Sequence, residues 1–170
     1  MDAELLTLVQ RVAHDLRMAG LSVATAESCT GGWVAQVLTD VPGSSLWFDR
    51  GFVTYSNMAK HEMLGVATDI LAQHGAVSEP TACAMVAGAL AHSHADLALA
   101  VTGIAGPDGG TVEKPVGTVC FAWGGRRHPI RSITLHFQGD RTGVRRQAVL
   151  TAIQGLLQDL EGLDGPRGLR

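Results

Sequence analysis

Ser45, Tyr55 and Lys60 lie close together in the sequence, and their types can pair a nucleophile with a base. A serine hydroxyl is a poor nucleophile until a base removes its proton. Lysine acts as that base only when neutral, which burial or a nearby cation favours. A tyrosine hydroxyl can relay or orient the proton. Lys60 falls on the first turn of a predicted helix, where a cation opposes the helix dipole, and this also favours the neutral form. All three residue types are common, and a solvated Lys60 is the plainer reading of the spacing alone.

A second group surrounds Glu27-Ser28-Cys29-Thr30-Gly31-Gly32. Small residues between a strand and a helix bring backbone N–H groups close to an anion. An ordinary capped turn fits the same residues. The segment is neither a Walker A sequence nor a G-x-G-x-x-G fingerprint. A helix N-terminus lowers a thiol pKa, which makes Cys29 a candidate nucleophile. A small buried residue is the preferred reading, because cysteine is among the most buried types. The loop 102–110 holds four glycines, Pro107 and Asp108. Such density after an apolar strand points to close approach of backbone to a ligand. Arg141 and Arg145 share a helix face at i, i+4 and suit a phosphate; with Arg146 they also suit a solvated face. The histidines have no metal-site spacing, and Asp108 alone is thin ground for a metal.

These residues need a scaffold. Apolar positions predict an amphipathic helix over 3–18 and a strand over 21–26. A helix over 33–38 follows, then a loop over 39–45 and a strand over 48–55. Ser56 and Asn57 cap a short helix that contains Lys60 and ends at Gly65, with a further helical turn over 66–73. Ser78 caps an alanine-rich helix to about His92, with Pro80 at its start. The segment 96–101 is nearly all apolar, as in a strand buried on both faces. Strands over 116–123 and 130–137 read as an antiparallel pair, and a helix over 142–160 closes the chain. The order predicts an α/β fold: a single three-layer domain with a mixed β-sheet flanked by helices. The domain is expected over 1–161, with a flexible tail over 162–170. Both unusual loops, 27–32 and 102–110, follow strands, so one crevice at the strand ends can hold both.

Composition narrows the field. The chain has 170 residues, 46% hydrophobic and 17% charged, which argues against disorder. A net charge of −3 gives no electrostatic footprint for nucleic acid or an anionic membrane. Tyr55 is the only tyrosine, and aromatics make up 5%, too few for a base-stacking platform. No apolar run is long enough to span a bilayer, and the acidic Met1–Glu4 segment lacks a signal-peptide n-region. Cys29, Cys83 and Cys120 form no CxxC pair, in keeping with a reducing cytoplasm.

Taken together, Ala26–Gly32, Gly43-Ser44-Ser45 with Trp47-Phe48, and Gly51–Asn57 with Lys60 resemble the CinA C-terminal-domain family. So do Gly75–Glu79, Thr102–Gly110, Lys114–Val119 and Gly139-Asp140-Arg141. The resemblance covers roughly residues 3–160. It implies hydrolysis of the carboxamide of nicotinamide mononucleotide to nicotinate mononucleotide and ammonia, within pyridine nucleotide recycling. It implies a serine–lysine amidase, with Ser45 as nucleophile, Lys60 as general base and Tyr55 supporting proton transfer. Backbone N–H groups around Gly43 to Ser45 would form the oxyanion hole, and Thr102 and Gly103 would line the substrate site. Donors for the phosphate would come from Glu27–Gly32, with Ser28, Thr30 and Gly31 in contact with substrate, from the 102–110 loop, and from Arg141 or Arg145. No cofactor or metal is implied.

Ser45 and Lys60 flank a predicted strand, so they meet only if the loop 41–47 folds back or if a neighbouring copy in a homo-oligomer supplies one of them. The resemblance implies a small nucleotide as partner, and composition and charge give no support to nucleic acid or membrane. The competing reading is a non-catalytic nucleotide-binding regulatory module of the same fold. A metal-dependent phosphatase ranks last, because it needs clustered carboxylates.

Overall fold

The structure is a computed structural model that describes residues 3–163. Its sheet has five strands: β1 (Val23–Glu27), β2 (Phe48–Val53), β3 (Leu97–Gly103), β4 (Thr118–Gly125) and β5 (His128–His136). They lie in the order β2-β1-β3-β4-β5. β1 runs parallel to both β2 and β3, whereas β4 is antiparallel to β3 and to β5. The helices are α1 (Ala3–Ala19), α2 (Trp33–Thr39), α3 (Asn57–Leu64), α4 (Thr68–His74), α5 (Glu79–Ala91) and α6 (Arg141–Leu163). The expected three-layer mixed α/β architecture is the one observed.

The alternation of β3 explains the layers. Leu97, Leu99 and Val101 face one core with α1, α2 and α6, while Ala98 and Ala100 face the other with α5. Strand residues alternate faces with period two, so one apolar run feeds two cores. The small face is matched by an alanine-rich α5, and the backbones approach closely. A methyl on Gly88 of α5 would overlap the backbone carbonyl of Leu64 at the end of α3. On the other face, α1 buries Leu5, Val9, Val12 and Leu16. There, Trp123 of β4 donates its indole N–H to the Ala152 carbonyl of α6 at 2.9 Å.

Gly155 sits one turn further along α6, and a Cβ there would overlap the Trp123 indole. Gly155→Ala therefore loses stability although alanine favours helix by ~1 kcal/mol. Overpacking a core costs ~1–3 kcal/mol or more, so a net drop in denaturant midpoint is the expected result. An unchanged or raised midpoint would show that the indole shifts freely.

Element ends differ in instructive ways. Helix α6 continues through Gly162 and Leu163, so the expected domain boundary after 161 falls inside a helix. The rest of the expected tail, 164–170, lies outside the described residues. The loop before β2 contains a single 3-10 turn, Ser44–Leu46, after Gly43 at φ 82°. The helical turn expected over 66–73 is α4, and β2 stops at Val53 rather than at Tyr55.

Candidate active site

The parallel strands β1, β2 and β3 end at one edge of the sheet, where Glu27 lies opposite Val53 and Val101. The segments that leave these strands converge there. After β1 comes the turn 28–32. After β2, the Thr54 N–H donates to the Glu27 carbonyl at 2.8 Å, which carries the chain alongside the turn before α3 begins. Ser56 caps α3 by accepting from the Ala59 N–H, and one turn later Lys60 points back beneath Thr54.

Lys60 is 1% exposed. Its Nζ donates to Ser28 Oγ at 3.0 Å and to the Thr54 carbonyl at 2.9 Å. Among the described residues no carboxylate pairs with it, and burial holds its pKa below the ordinary lysine value, against a smaller upward pull from Cys29. A buried amine held towards neutrality and bonded to a serine hydroxyl is the arrangement a general base requires.

The turn that carries Ser28 is built around one carboxylate. Glu27 is fully buried and accepts from the Thr30 hydroxyl at 2.7 Å, from the N–H of Gly32 and of Val34 at 3.0 Å each, and from the Ala35 N–H at 2.8 Å. These are the unpaired donors of the α2 N-terminus, and a carboxylate also complements its dipole. The Gly31 N–H closes the turn on the Ser28 carbonyl at 3.0 Å, with Gly31 at φ 62° and Gly32 at φ 94°. Side-chain-bearing residues rarely adopt such angles, so both positions demand glycine. The N–H groups of Cys29 and Thr30 are left without an acceptor among the described residues.

Above Ser28 lies a cavity of about 260 Å³. Ser28, Cys29 and Lys60 form one side, Ala76 and Val77 another, and Thr102 to Gly106 with Asp108 and Gly109 a third; Tyr55 and Arg141 line the mouth. Thr102 donates its hydroxyl to the Ala76 carbonyl at 2.8 Å, joining two of these walls. Arg141 donates to the Gly106 carbonyl at 2.7 Å and to the Tyr55 hydroxyl at 2.8 Å. Two of its five N–H donors are used, which leaves others for an anion. The two loops expected to share a crevice do share it.

Several expected site residues take other places. Ser45 is exposed on the 3-10 turn before β2, while Lys60 follows β2. Six strand residues at ~3.3 Å each put ~20 Å between the two ends, so within one chain Ser45 is not brought to Lys60. Gly43 precedes the same 3-10 turn, at the far end of β2 from Lys60. The loop 41–47 does not fold back because the Val23 N–H binds the Trp47 carbonyl at 2.8 Å, at the start of β1. Thr30 and Gly31 shape the turn rather than line the cavity, which Ser28, Thr102, Gly103 and Arg141 do line. The Tyr55 hydroxyl bonds Arg141 and makes no bond to Ser28 or Lys60. Cys29 is buried, and burial pushes its thiol up to about 12, which leaves almost no thiolate at neutral pH.

The three arginines are now distinguishable. Arg141 reaches the cavity, Arg145 supports the turn from behind through bonds to the Cys29 and Thr30 carbonyls, and Arg146 pairs with Glu4 on the surface at 2.9 Å. Ala76, Val77 and Ile104 also line the cavity; they lie in the segments 75–79 and 102–110 that carry the resemblance, but the sequence assigns them no individual role. Apolar residues in loops carry no chemical signal, and only the fold brings them together. Among the described residues no cluster of His, Cys, Asp and Glu is arranged to hold a metal ion, and no helix is long and apolar enough to cross a membrane.

Known proteins share this arrangement of sequence and fold. The nicotinamide-nucleotide amidohydrolase PncC of Escherichia coli (strain K12) is 56% identical over 157 residues, 92% of this chain and 95% of that protein. A protein of the same name from Pseudomonas putida is 54% identical over 153 residues, covering 89% and 94%. The crystal structure of competence/damage inducible protein CihA from Agrobacterium tumefaciens superposes with a TM-score of 0.91 at 46% identity, covering 95% of this chain and 98% of that one. Residues 5–160, which contain every strand and the whole of the cavity, match the CinA C-terminal domain, and the chain belongs to that family.

Proposed function

We propose that this chain is a nicotinamide-nucleotide amidohydrolase that converts nicotinamide mononucleotide to nicotinate mononucleotide and ammonia. The names of its full-length relatives support the activity. One observation carries the mechanism: the buried Lys60 amine lies 3.0 Å from Ser28 Oγ at the floor of an open cavity. Ser28 is the nucleophile in this reading. Neutral Lys60 takes its proton as Oγ attacks the carboxamide carbon, and the Thr54 carbonyl keeps the amine in place. The tetrahedral oxyanion is met by the unused N–H of Cys29, the residue directly after the nucleophile, with the Thr30 N–H beside it. Such donors contribute ~10²–10³ in rate each. Lys60 then delivers the proton to the departing nitrogen, and ammonia leaves an ester on Ser28. Lys60 next takes a proton from water as its oxygen attacks the ester, and returns it to Ser28 as the carboxylate is released. The apolar faces of Ala76, Val77 and Ile104 suit a flat heteroaromatic ring, and Arg141 at the mouth suits its phosphate.

The test is ammonia release from nicotinamide mononucleotide by the purified protein in the presence of EDTA. Steady release supports a metal-free amidase. Silence under EDTA that added divalent metal restores would overturn the mechanism. Silence under both conditions, with a nucleotide-induced rise in melting temperature, would return the chain to a binding module.

A further inference from the structure

We infer that Arg145 is a positioning residue for the oxyanion-binding turn and does not bind the substrate phosphate. The inference rests on the amidase reading above and assigns a role to a side chain the cavity does not contain.

Arg145 extends from α6 beneath the turn 28–32. Its Nε donates to the Cys29 carbonyl at 3.1 Å and its Nη2 to the Thr30 carbonyl at 2.9 Å. The guanidinium carbon stands 5.5 Å from the centre of the Trp33 ring at the start of α2, over its face. Two successive carbonyls are thus held by one rigid fork. A peptide unit is planar and trans, so its N–H points opposite to its C=O. Drawing the Cys29 carbonyl towards Arg145 turns the Thr30 N–H the other way. The Ser28 carbonyl is held separately by the Gly31 N–H at 3.0 Å, which sets the Cys29 N–H. These are the two N–H groups without an acceptor among the described residues. Within the turn the Trp33 N–H also donates to the Thr30 carbonyl at 3.2 Å, whereas the Cys29 carbonyl is held by Arg145. Glu27 secures its donors from one side, and Arg145 secures its carbonyls from the other. Lysine presents a point charge and cannot hold both carbonyls in a fixed fork.

Steady-state kinetics of Arg145→Lys and Arg145→Met test this, with nicotinamide mononucleotide and nicotinamide riboside as substrates. The expected result is a fall in kcat of ~10²-fold, the scale of one misplaced oxyanion donor, with KM for the nucleotide near the parent value. The fall should be the same for nucleotide and riboside. A boronic acid analogue of nicotinamide, which mimics the tetrahedral adduct, should lose affinity in parallel with kcat. A rise in KM confined to the nucleotide would mean that Arg145 binds phosphate and would overturn the inference. So would full activity in both variants. Arg145→Lys retains the charge and most of the packing, so it keeps the test valid if the methionine variant fails to fold. A parent protein silent on both substrates would refute the amidase reading itself, an outcome distinct from either of these.

Discussion

The proposed mechanism predicts that Ser28→Ala abolishes amide hydrolysis, whereas Ser45→Ala leaves it near the parent value. The two serines sit on short turns at opposite ends of the strands, and among the described residues it is Ser28 that has the Lys60 amine beside it. Removing the nucleophile of a serine hydrolase costs ~10³–10⁶ in kcat, the remainder coming from binding and the oxyanion site. Ser28→Ala removes one hydroxyl from the cavity floor, so the melting temperature and the affinity for the nucleotide should stay close to those of the parent. That separates a chemical defect from a folding defect. Rapid acid quench and peptide mass analysis give independent evidence, since an acyl adduct should map to the peptide containing Ser28. The opposite pattern, with Ser45→Ala silent and Ser28→Ala active, would require Ser45 from a neighbouring copy and would overturn the assignment of Ser28.

This contrast also shows what a sequence conveys. Period-two and period-3.6 patterns identify strands and helices, because burial depends on local geometry. They led to an accurate list of elements and to the three-layer class. They do not convey strand order. Ser28 and Lys60 become neighbours only because β2 lies parallel to β1 and both chains leave the sheet at the same edge. The Gly-Ser-Ser segment before β2 has the composition of a nucleophile turn and sits nearer to Lys60 in sequence. Direction along the strand, not sequence distance, decides which serine meets the lysine. The arginines make the same point. Arg141 and Arg145 share a helix face, yet one looks into the cavity and the other lies behind the turn. Four residues along a helix span ~6 Å, enough to cross a thin wall of loop. The glycines at 31 and 32 were legible as a turn, but the carboxylate that organises them was not. Glu27 closes a strand whose residues are all buried, where a charge is normally excluded. Its four donors explain the exception.

In the proposed mechanism Lys60 ties stability and catalysis to the same proton, and burial sets the sign of both effects. Its folded pKa lies below the ordinary lysine value because burial disfavours the cation. Between the folded pKa and about 10.4, the unfolded chain binds more protons than the folded one. The stability of the parent relative to Lys60→Met should therefore rise with pH across that window and level off above it. At lower pH the folded protein must carry a buried ammonium, and the parent is at its greatest relative disadvantage. The rate depends on the neutral amine, so kcat/KM should climb along an ascending limb whose midpoint lies below the usual lysine range. Lys60→Arg keeps a permanent cation that cannot accept the Ser28 proton, and its activity should be lost at every pH. Lys60→Met should be equally silent, although it leaves the Thr54 carbonyl without its donor, a loss of ~1–3 kcal/mol. The measurement is a pair of profiles against pH: kcat/KM for the parent, and the unfolding free energy of the parent minus that of Lys60→Met. A limb centred at the ordinary lysine pKa, or a stability difference that falls as pH rises, would show that Lys60 remains cationic. Proton transfer from Ser28 would then need another acceptor.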